Sequence, residues 1–303
     1  MGASDKRKHR LAGIVGGAAI AFATLVGAEA KADIIQWSDT FVGLRYGAAY
    51  AEPANVNDVE KVIVQGQHVS GWTYGQNFVN IDILFDLKAT DESKNGSPGT
   101  PAKEIYAVFR EKLSSSKIFG MSYGGIIRDV GLTIGGDLSY KNDNFNARVR
   151  KFVIGPTIDF EVPGFLSVGL LLGTEHNNNG LAANGVVPSF VIKDQSVDFD
   201  PTWRIEAAWG LPLPIDIGVP VSFNGFMNII GPKGEDGFGN DTTYEILLDA
   251  ALMFDVGAPL GTEKTFYLGF GYQWWKNKFG NDPKYTANGT EASVPQVVAQ
   301  FHF

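Results

Sequence analysis

An all-β fold, an antiparallel transmembrane β-barrel of about twelve strands, is the architecture this 303-residue sequence predicts, and three observations predict it. Segment after segment alternates apolar with small or polar residues over the ~9–11 positions a tilted membrane strand needs. Long polar connections alternate with tight turns, the asymmetry of single-chain bacterial barrels. The last segment, Ala299-Gln300-Phe301-His302-Phe303, is a period-2 strand closing on a terminal phenylalanine.

The chain opens on Lys6-Arg7-Lys8-His9-Arg10, an apolar run from Leu11 to Ala28 and then Ala30-Lys31-Ala32. A basic start, an apolar middle and an A-x-A site read as a secretory signal peptide over 1–32, leaving 33–303 as the barrel domain. The competing reading is a single membrane anchor, because the run approaches the ~20 residues of a spanning helix; its glycines and the adjoining A-x-A site argue for cleavage. Removal of 1–32 takes five of the 25 basic and two of the 33 acidic side chains, leaving a net charge of −11. Such a surface repels phosphate backbones, so no nucleic acid polymer is expected as a partner. With no cysteine in the chain, neither disulfides nor a lipid-modified N-terminus is available.

Strands are expected near 38–48, 60–70, 76–88, 102–113, 129–140, 145–160, 165–176, 199–210, 214–229, 242–256, 264–277 and 293–303. In the penultimate one Phe266, Leu268, Phe270, Tyr272 and Trp274 share one face, and Tyr267, Gly269, Gly271, Gln273 and Trp275 the other. Between Thr243 and Asp255, Glu245 and Asp249 lie four apart on one face, costly in a dry core and tolerable in a wet lumen. An even strand number brings both ends to one side. Connections after odd strands are long and polar (49–59, 89–101, 177–198, 230–241, 278–292); those after even strands are short, as in Glu161-Val162-Pro163-Gly164 and Leu211-Pro212-Leu213-Pro214. Two connections break the pattern: Lys141 to Asn144 is short and 114–128 is long. Trp37, Trp203, Trp209, Tyr272 and Trp274 at strand ends suit interfacial girdles. A secreted β-sandwich or a lipocalin-like barrel also alternates in period 2. It accounts for neither the loop asymmetry nor the terminal phenylalanine.

Several segments resemble the Tsx/OmpK family of nucleoside-specific outer-membrane channels. They are Leu44-Arg45-Tyr46-Gly47 with Glu52-Pro53, Gly75-Gln76-Asn77-Phe78-Val79-Asn80-Ile81-Asp82, Glu104-Ile105-Tyr106, Gly155-Pro156-Thr157 with Val162 to Leu166, Ala208-Trp209-Gly210, Tyr272 to Asp282, and Phe301-His302-Phe303. The resemblance implies a twelve-stranded barrel passing nucleosides by diffusion through a narrow lumen of aromatic and ionisable side chains. It carries over as a class, without residue-by-residue assignment of the solute contacts.

Twelve strands fall between eight, which side chains can fill, and sixteen, which leave an open channel. Alternation turns Arg45, Asn80, Asp82, Tyr106, Arg110, Arg204, Glu206, Phe226, Glu245, Asp249, Tyr267, Gln273 and Trp275 inward, with Asp137, Glu175, Asn224 and Asn228, and the first thirteen are the candidate solute-binding residues. Tyr106, Phe226, Tyr267 and Trp275 offer faces for base stacking, worth ~1–3 kcal/mol per base. Neighbouring amides and carboxylates suit base edges and ribose hydroxyls. The plainer reading is that Arg45, Arg110 and Arg204 pair with Asp82, Glu206 and Glu245 and stiffen the wall.

The string Gly120-Met121-Ser122-Tyr123-Gly124 matches a nucleophile elbow, but that motif needs a strand-to-helix turn in an α/β fold with His and Asp partners. The chain after residue 32 has only His68, His176 and His302, so no enzyme and no cofactor is expected. Phe238-Gly239-Asn240-Asp241 echoes Phe279-Gly280-Asn281-Asp282; turn formation explains both, the sharper reading being Ca²⁺ or lipopolysaccharide-bridging cations on Asp236, Asp241 and Asp282. No metal site is assigned. Arg148, Arg150 and Lys151 are placed together at the outer rim, facing lipopolysaccharide phosphates or solvent. The expected function is an outer-membrane diffusion channel for small polar, nucleoside-like solutes. The alternative is a surface-binding or structural barrel with a plugged lumen. Expected partners are the solute, outer-membrane lipid and lipopolysaccharide, and the periplasmic folding machinery through the C-terminal strand.

Overall fold

The computed structural model describes residues 34–186 and 188–303; the expected signal peptide lies outside them. Among the described residues thirteen strands form one antiparallel sheet. In chain order they are β1 (Ile35–Tyr50), β2 (Val59–Trp72), β3 (Gly75–Asp86), β4 (Lys103–Ser114), β5 (Ile127–Lys141), β6 (Arg148–Phe160), β7 (Phe165–Asn178), β8 (Ser196–Asp198), β9 (Thr202–Leu213), β10 (Val221–Ile230), β11 (Glu245–Asp255), β12 (Phe266–Lys276) and β13 (Glu291–His302). Each pairs with its chain neighbour, except that β9 pairs with β7, and β8 is a short addition to the end of β7. Pairing of β1 with β13 closes the ring at twelve strands, the expected number.

Closure removes every long sheet edge, so neighbouring strands pair their backbones around the whole ring. The two faces then differ as a membrane requires. Leu44, Leu138, Leu170, Leu172, Phe270, Val297 and Phe301 point outward and are each more than half exposed. Inward lie Lys61, Gln65, Asp137, Arg204, Glu245 and Asp249, all buried. An apolar outside and a polar inside identify an outer-membrane β-barrel. The long connections 51–58, 87–102, 179–201, 231–244 and 277–290 share one rim, taken as the outer one, and both described chain ends reach the other.

The chief departures from the expected boundaries lie around β9, which runs to Leu213 through the expected turn Leu211-Pro212-Leu213-Pro214, and at β8, which forms within the expected connection 177–198. The strand expected from residue 214 begins at Val221, and Pro212 and Leu213 belong to β9, with Pro212 opposite Ser222. The turn falls at 214–220, where Gly218 adopts φ 82° and its N–H reaches the Asp216 carboxylate at 3.3 Å. Alternation misplaced it because Ile215 and Ile217 continue the period of Leu211 and Leu213 through an exposed turn.

Both irregular connections have physical accounts. The long 114–128 segment forms helix α1 (Ser115–Phe119), whose first turn is capped by the Ser114 hydroxyl accepting from Lys117 N–H, and which ends at Gly120 with φ 66°. It is strapped to the inner rim by Lys117, whose ammonium donates to Gln36 Oε1 (2.9 Å) and the Trp72 carbonyl (2.7 Å). The short turn after β5 lies under its neighbour: Asn95 N–H of the 87–102 loop donates to the Asn142 carbonyl at 2.9 Å.

Candidate functional site: the lumen

Cross-strand register decides which side chains enter the lumen, because residues paired directly across a ladder share a face. The row Arg45, Val298, Gly269, Met253 runs through β1, β13, β12 and β11, and Gln65, Asp82, Tyr106 and Ser139 run through β2 to β5. All thirteen candidate residues face inward. They occupy three levels.

At the outer mouth the loop 51–58 turns inward. Its Glu52 is buried and held by three lysines: Lys61 at 2.5 Å, Lys141 at 3.2 Å and Lys278 at 3.2 Å. Burial alone would raise the Glu52 carboxyl; Lys141, Lys278 and Lys61 together outweigh it and hold it well below the usual range. Lys278 is itself pulled down by burial, against the opposing charge of Glu52. Its ammonium donates to the Ala51 carbonyl at 2.9 Å and lies 4.7 Å from the centre of the Trp275 ring. Trp275 Nε1–H donates to Glu245 at 2.7 Å. The roots of the loop are set in a small apolar cluster of Tyr50, Ala51, Val59, Ile63, Ala292 and Val294.

The middle level is a belt of cross-lumen ion pairs. Arg110 on β4 makes a two-pronged contact with Glu206 on β9 (2.7 and 2.9 Å) and also reaches Asp137 at 2.8 Å. Arg204 on β9 completes the square, 2.8 Å from Glu206 and 3.5 Å from Asp137, and Tyr106 donates to Asp137 at 3.0 Å. Strands β4 and β9 are separated by three others, so this contact bridges the lumen rather than stiffening one stretch of wall. Around the ring, Arg45 reaches Asp249 at 2.7 Å, Gln273 donates to Asp249 at 3.0 Å, and Gln65, Asn80 and Asp82 form a hydrogen-bonded run. Phe226 lies beside Asp249 and Ala208 in the ladder.

Toward the inner mouth Lys112 pairs with Asp159 at 2.5 Å and Thr133 meets Thr157 at 2.6 Å. Tyr267 sits here, its ring 4.9 Å from His302, which approaches Asp39 at 2.9 Å. Eight residues along one strand put Tyr267 ~27 Å from Trp275. The candidate aromatics therefore line a path and do not form one pocket.

Sequence reasoning missed Glu52 and the lumen lysines. The signal for Lys61, Lys112 and Glu104 was present, since each shares its parity with an inward neighbour: Lys61 with Ile63 and Gln65, Lys112 and Glu104 with Tyr106 and Arg110. Glu52 is a loop residue, and alternation says nothing of loops. The expected outer-rim trio is divided by the pleat: Arg148 and Arg150 point out, whereas Lys151 points in and lies 3.5 Å from Glu175, which also holds Lys233 at 2.7 Å. The Phe-Gly-Asn-Asp segments are turns, with Asp236 accepting from Phe238 N–H and Asn240 N–H and Asp282 from Lys284 N–H. Among the described residues no group of three or more His, Asp or Glu is arranged to hold a metal. Ser122 lies exposed in the inner-rim connection after α1.

No protein-family model matches the sequence, and no curated protein matches it. Among solved structures the chain is similar to the translocator domain of the autotransporter NalP from Neisseria meningitidis, at 10% identity over 98% of both chains with a TM-score of 0.42. It is also similar to the NanC porin (7% identity, 86% of this chain and 98% of that one, TM-score 0.42) and to Pseudomonas putida OprB (8%, 92% and 97%, 0.34).

Proposed function

We propose that the barrel is a passive outer-membrane channel for small polar solutes, with nucleosides as the solute class. One observation carries the reading. On the stretch of wall that runs from β11 through β12, β13 and β1 to β2, Glu245 Oε2, Gln296 Oε1, Arg45 Nε and Gln65 Oε1 are buried and have no protein partner. Buried polar atoms are satisfied by something, and in a lumen that is water or solute. The four lie along one wall, with Glu245 bonded to Trp275 at its outer end, and suit hydroxyl and amide groups passed from one weak site to the next. Conduction favours such a series over one tight pocket.

The nucleoside class is supported by the resemblance of residues 272–282 and its companions and by Tyr106, Phe226, Tyr267 and Trp275 along the path. Trp275 and Tyr106 are already hydrogen-bonded to carboxylates, which fixes their rings for stacking. The solute contacts are assigned to Arg45, Asn80, Asp82, Tyr106, Arg110, Arg204, Glu206, Phe226, Glu245, Asp249, Tyr267, Gln273 and Trp275. Folding machinery in the periplasm would take the chain by β13 and Phe303.

Single-channel recording of the protein in a planar bilayer, with nucleosides titrated in, tests this reading. Block by nucleosides that weakens in Tyr106→Ala and Trp275→Ala supports it. Conductance without block leaves a channel of other specificity, and absence of conductance refutes the channel and favours a barrel closed by its own ion pairs.

A further inference from the structure

Most cations of the barrel wall have a carboxylate partner: Arg45, Lys61, Lys88, Arg110, Lys112, Arg128, Lys141, Lys151 and Arg204 all do. Lys103, Arg148 and Arg150 form no ion pair although all three are exposed, and they gather on one stretch of the outer rim spanning β4 to β6. Such a concentration of uncompensated positive charge is unexpected in a chain with a formal net charge of −8. Its surroundings are aromatic as well as basic. The Lys103 ammonium lies 5.3 Å from the centre of the Phe85 ring and the Arg148 guanidinium 5.7 Å from that of Tyr140.

Height along the barrel identifies the level. In β6 the outward residues after Arg148 and Arg150 are Phe152, Ile154, Pro156, Ile158 and Phe160, so the two arginines stand on the upper edge of the apolar belt. Leu138, directly beside Arg150 in the ladder, is 60% exposed and belongs to that belt. The edge of the hydrocarbon is where headgroup phosphates lie. Arg148 and Arg150, two residues apart on one face, are ~7 Å from each other, and Lys103, two strands over, is ~12 Å from Arg148. Guanidinium forks suit phosphate oxygens, and cations held over aromatic rings at a membrane interface are placed without further ordering cost.

We propose that Lys103, Arg148 and Arg150 form a binding surface for the phosphate groups of lipid A, the membrane anchor of lipopolysaccharide in the outer leaflet. The surface is separate from the lumen and stands whether or not the barrel conducts. The test uses detergent-solubilised full-length barrel, native mass spectrometry and thermal melting, with bisphosphorylated lipid A, dephosphorylated lipid A and inorganic phosphate as probes. Bisphosphorylated lipid A is expected to stay bound through detergent removal and to raise the melting temperature of the wild-type barrel. The triple variant Lys103→Gln, Arg148→Gln, Arg150→Gln should lose at least tenfold in lipid A affinity and lose the shift. Lys264→Gln, on the inner rim, should keep both. Equal retention by the triple variant, equal binding of dephosphorylated lipid A, or the same stabilisation by inorganic phosphate would each overturn the proposal. Should the triple variant fail to fold, Arg148→Gln and Arg150→Gln singly must still each weaken retention.

Discussion

Replacing Asp137 by alanine is the sharpest probe of the lumen. Its carboxylate is 1% exposed and serves three groups at once: Arg110 at 2.8 Å, Arg204 at 3.5 Å and Tyr106 at 3.0 Å. Without it, two guanidiniums share Glu206 alone and the Tyr106 hydroxyl loses its acceptor. Removing one partner of a buried ion pair costs ~3–5 kcal/mol because the other charge is left uncompensated. The lumen is wetter than a protein core, so the expected loss is ~3 kcal/mol. Urea-induced unfolding from lipid vesicles, followed by tryptophan fluorescence, measures it. Adding Arg204→Met removes the surplus cation and should recover more than half of the loss, a coupling that a double-mutant cycle isolates. A single-variant loss under ~1 kcal/mol, the value of a solvated surface pair, would refute the reasoning, since the bridge would then be exchanging freely with water.

Glu52→Gln should release the outer loop. Because the Glu52 carboxyl is depressed in the folded barrel, its stabilising contribution is complete above the unfolded carboxyl value of ~4.3 and is lost as pH falls through the folded value. Wild-type conductance should therefore rise on acidification, and Glu52→Gln should conduct at the raised level throughout; parallel pH profiles would count against the lysine contacts of Glu52 holding the loop inward. Gly289→Ala should dislodge the same loop at neutral pH, because φ is +71° there and a Cβ would stand 1.7 Å from the Glu52 carbonyl oxygen. The backbone term alone is ~1–3 kcal/mol, to be read as a lower melting temperature with the loop more open to proteolysis. Deleting Phe303, whose N–H donates to the Thr40 carbonyl at 2.9 Å, should slow assembly in vesicles carrying the folding machinery while changing the melting temperature of barrel already folded by less than the Asp137 variant does.

The wall was legible in the sequence because a membrane barrel imposes one simple rule. Each strand must present lipid on one side and water on the other, so alternation reports both strand and facing, and residues as far apart as Arg45 and Tyr267 were oriented by the same argument. The rule fails where the chain leaves the sheet. Ile215 and Ile217 keep the period in a turn, and Glu52 enters the lumen from a loop that no periodicity describes. It also fails where like residues are read as a cluster: Lys151 was grouped with Arg148 and Arg150 by charge, and the pleat sends it to the opposite side.

Pairing within the lumen was beyond alternation for a further reason. Parity fixes the face a residue occupies, but contact across the barrel depends on height and on which strands oppose one another. Asp82 was expected opposite an arginine and is instead bonded to Asn80, while Asp137 gathers Arg110, Arg204 and Tyr106. The consequence for transport is specific. The Arg110–Glu206 bridge spans the lumen between β4 and β9, whereas Arg45, Gln65, Glu245 and Gln296 keep buried polar atoms unpaired on the stretch of wall from β11 to β2. A solute that offers hydroxyl or amide groups can replace water at those atoms without breaking an ion pair, and one that offers only apolar surface would strand them at ~1–3 kcal/mol each. If the barrel conducts, this wall would favour polar solutes while the Arg110, Arg204, Asp137 and Glu206 charges stay paired with one another.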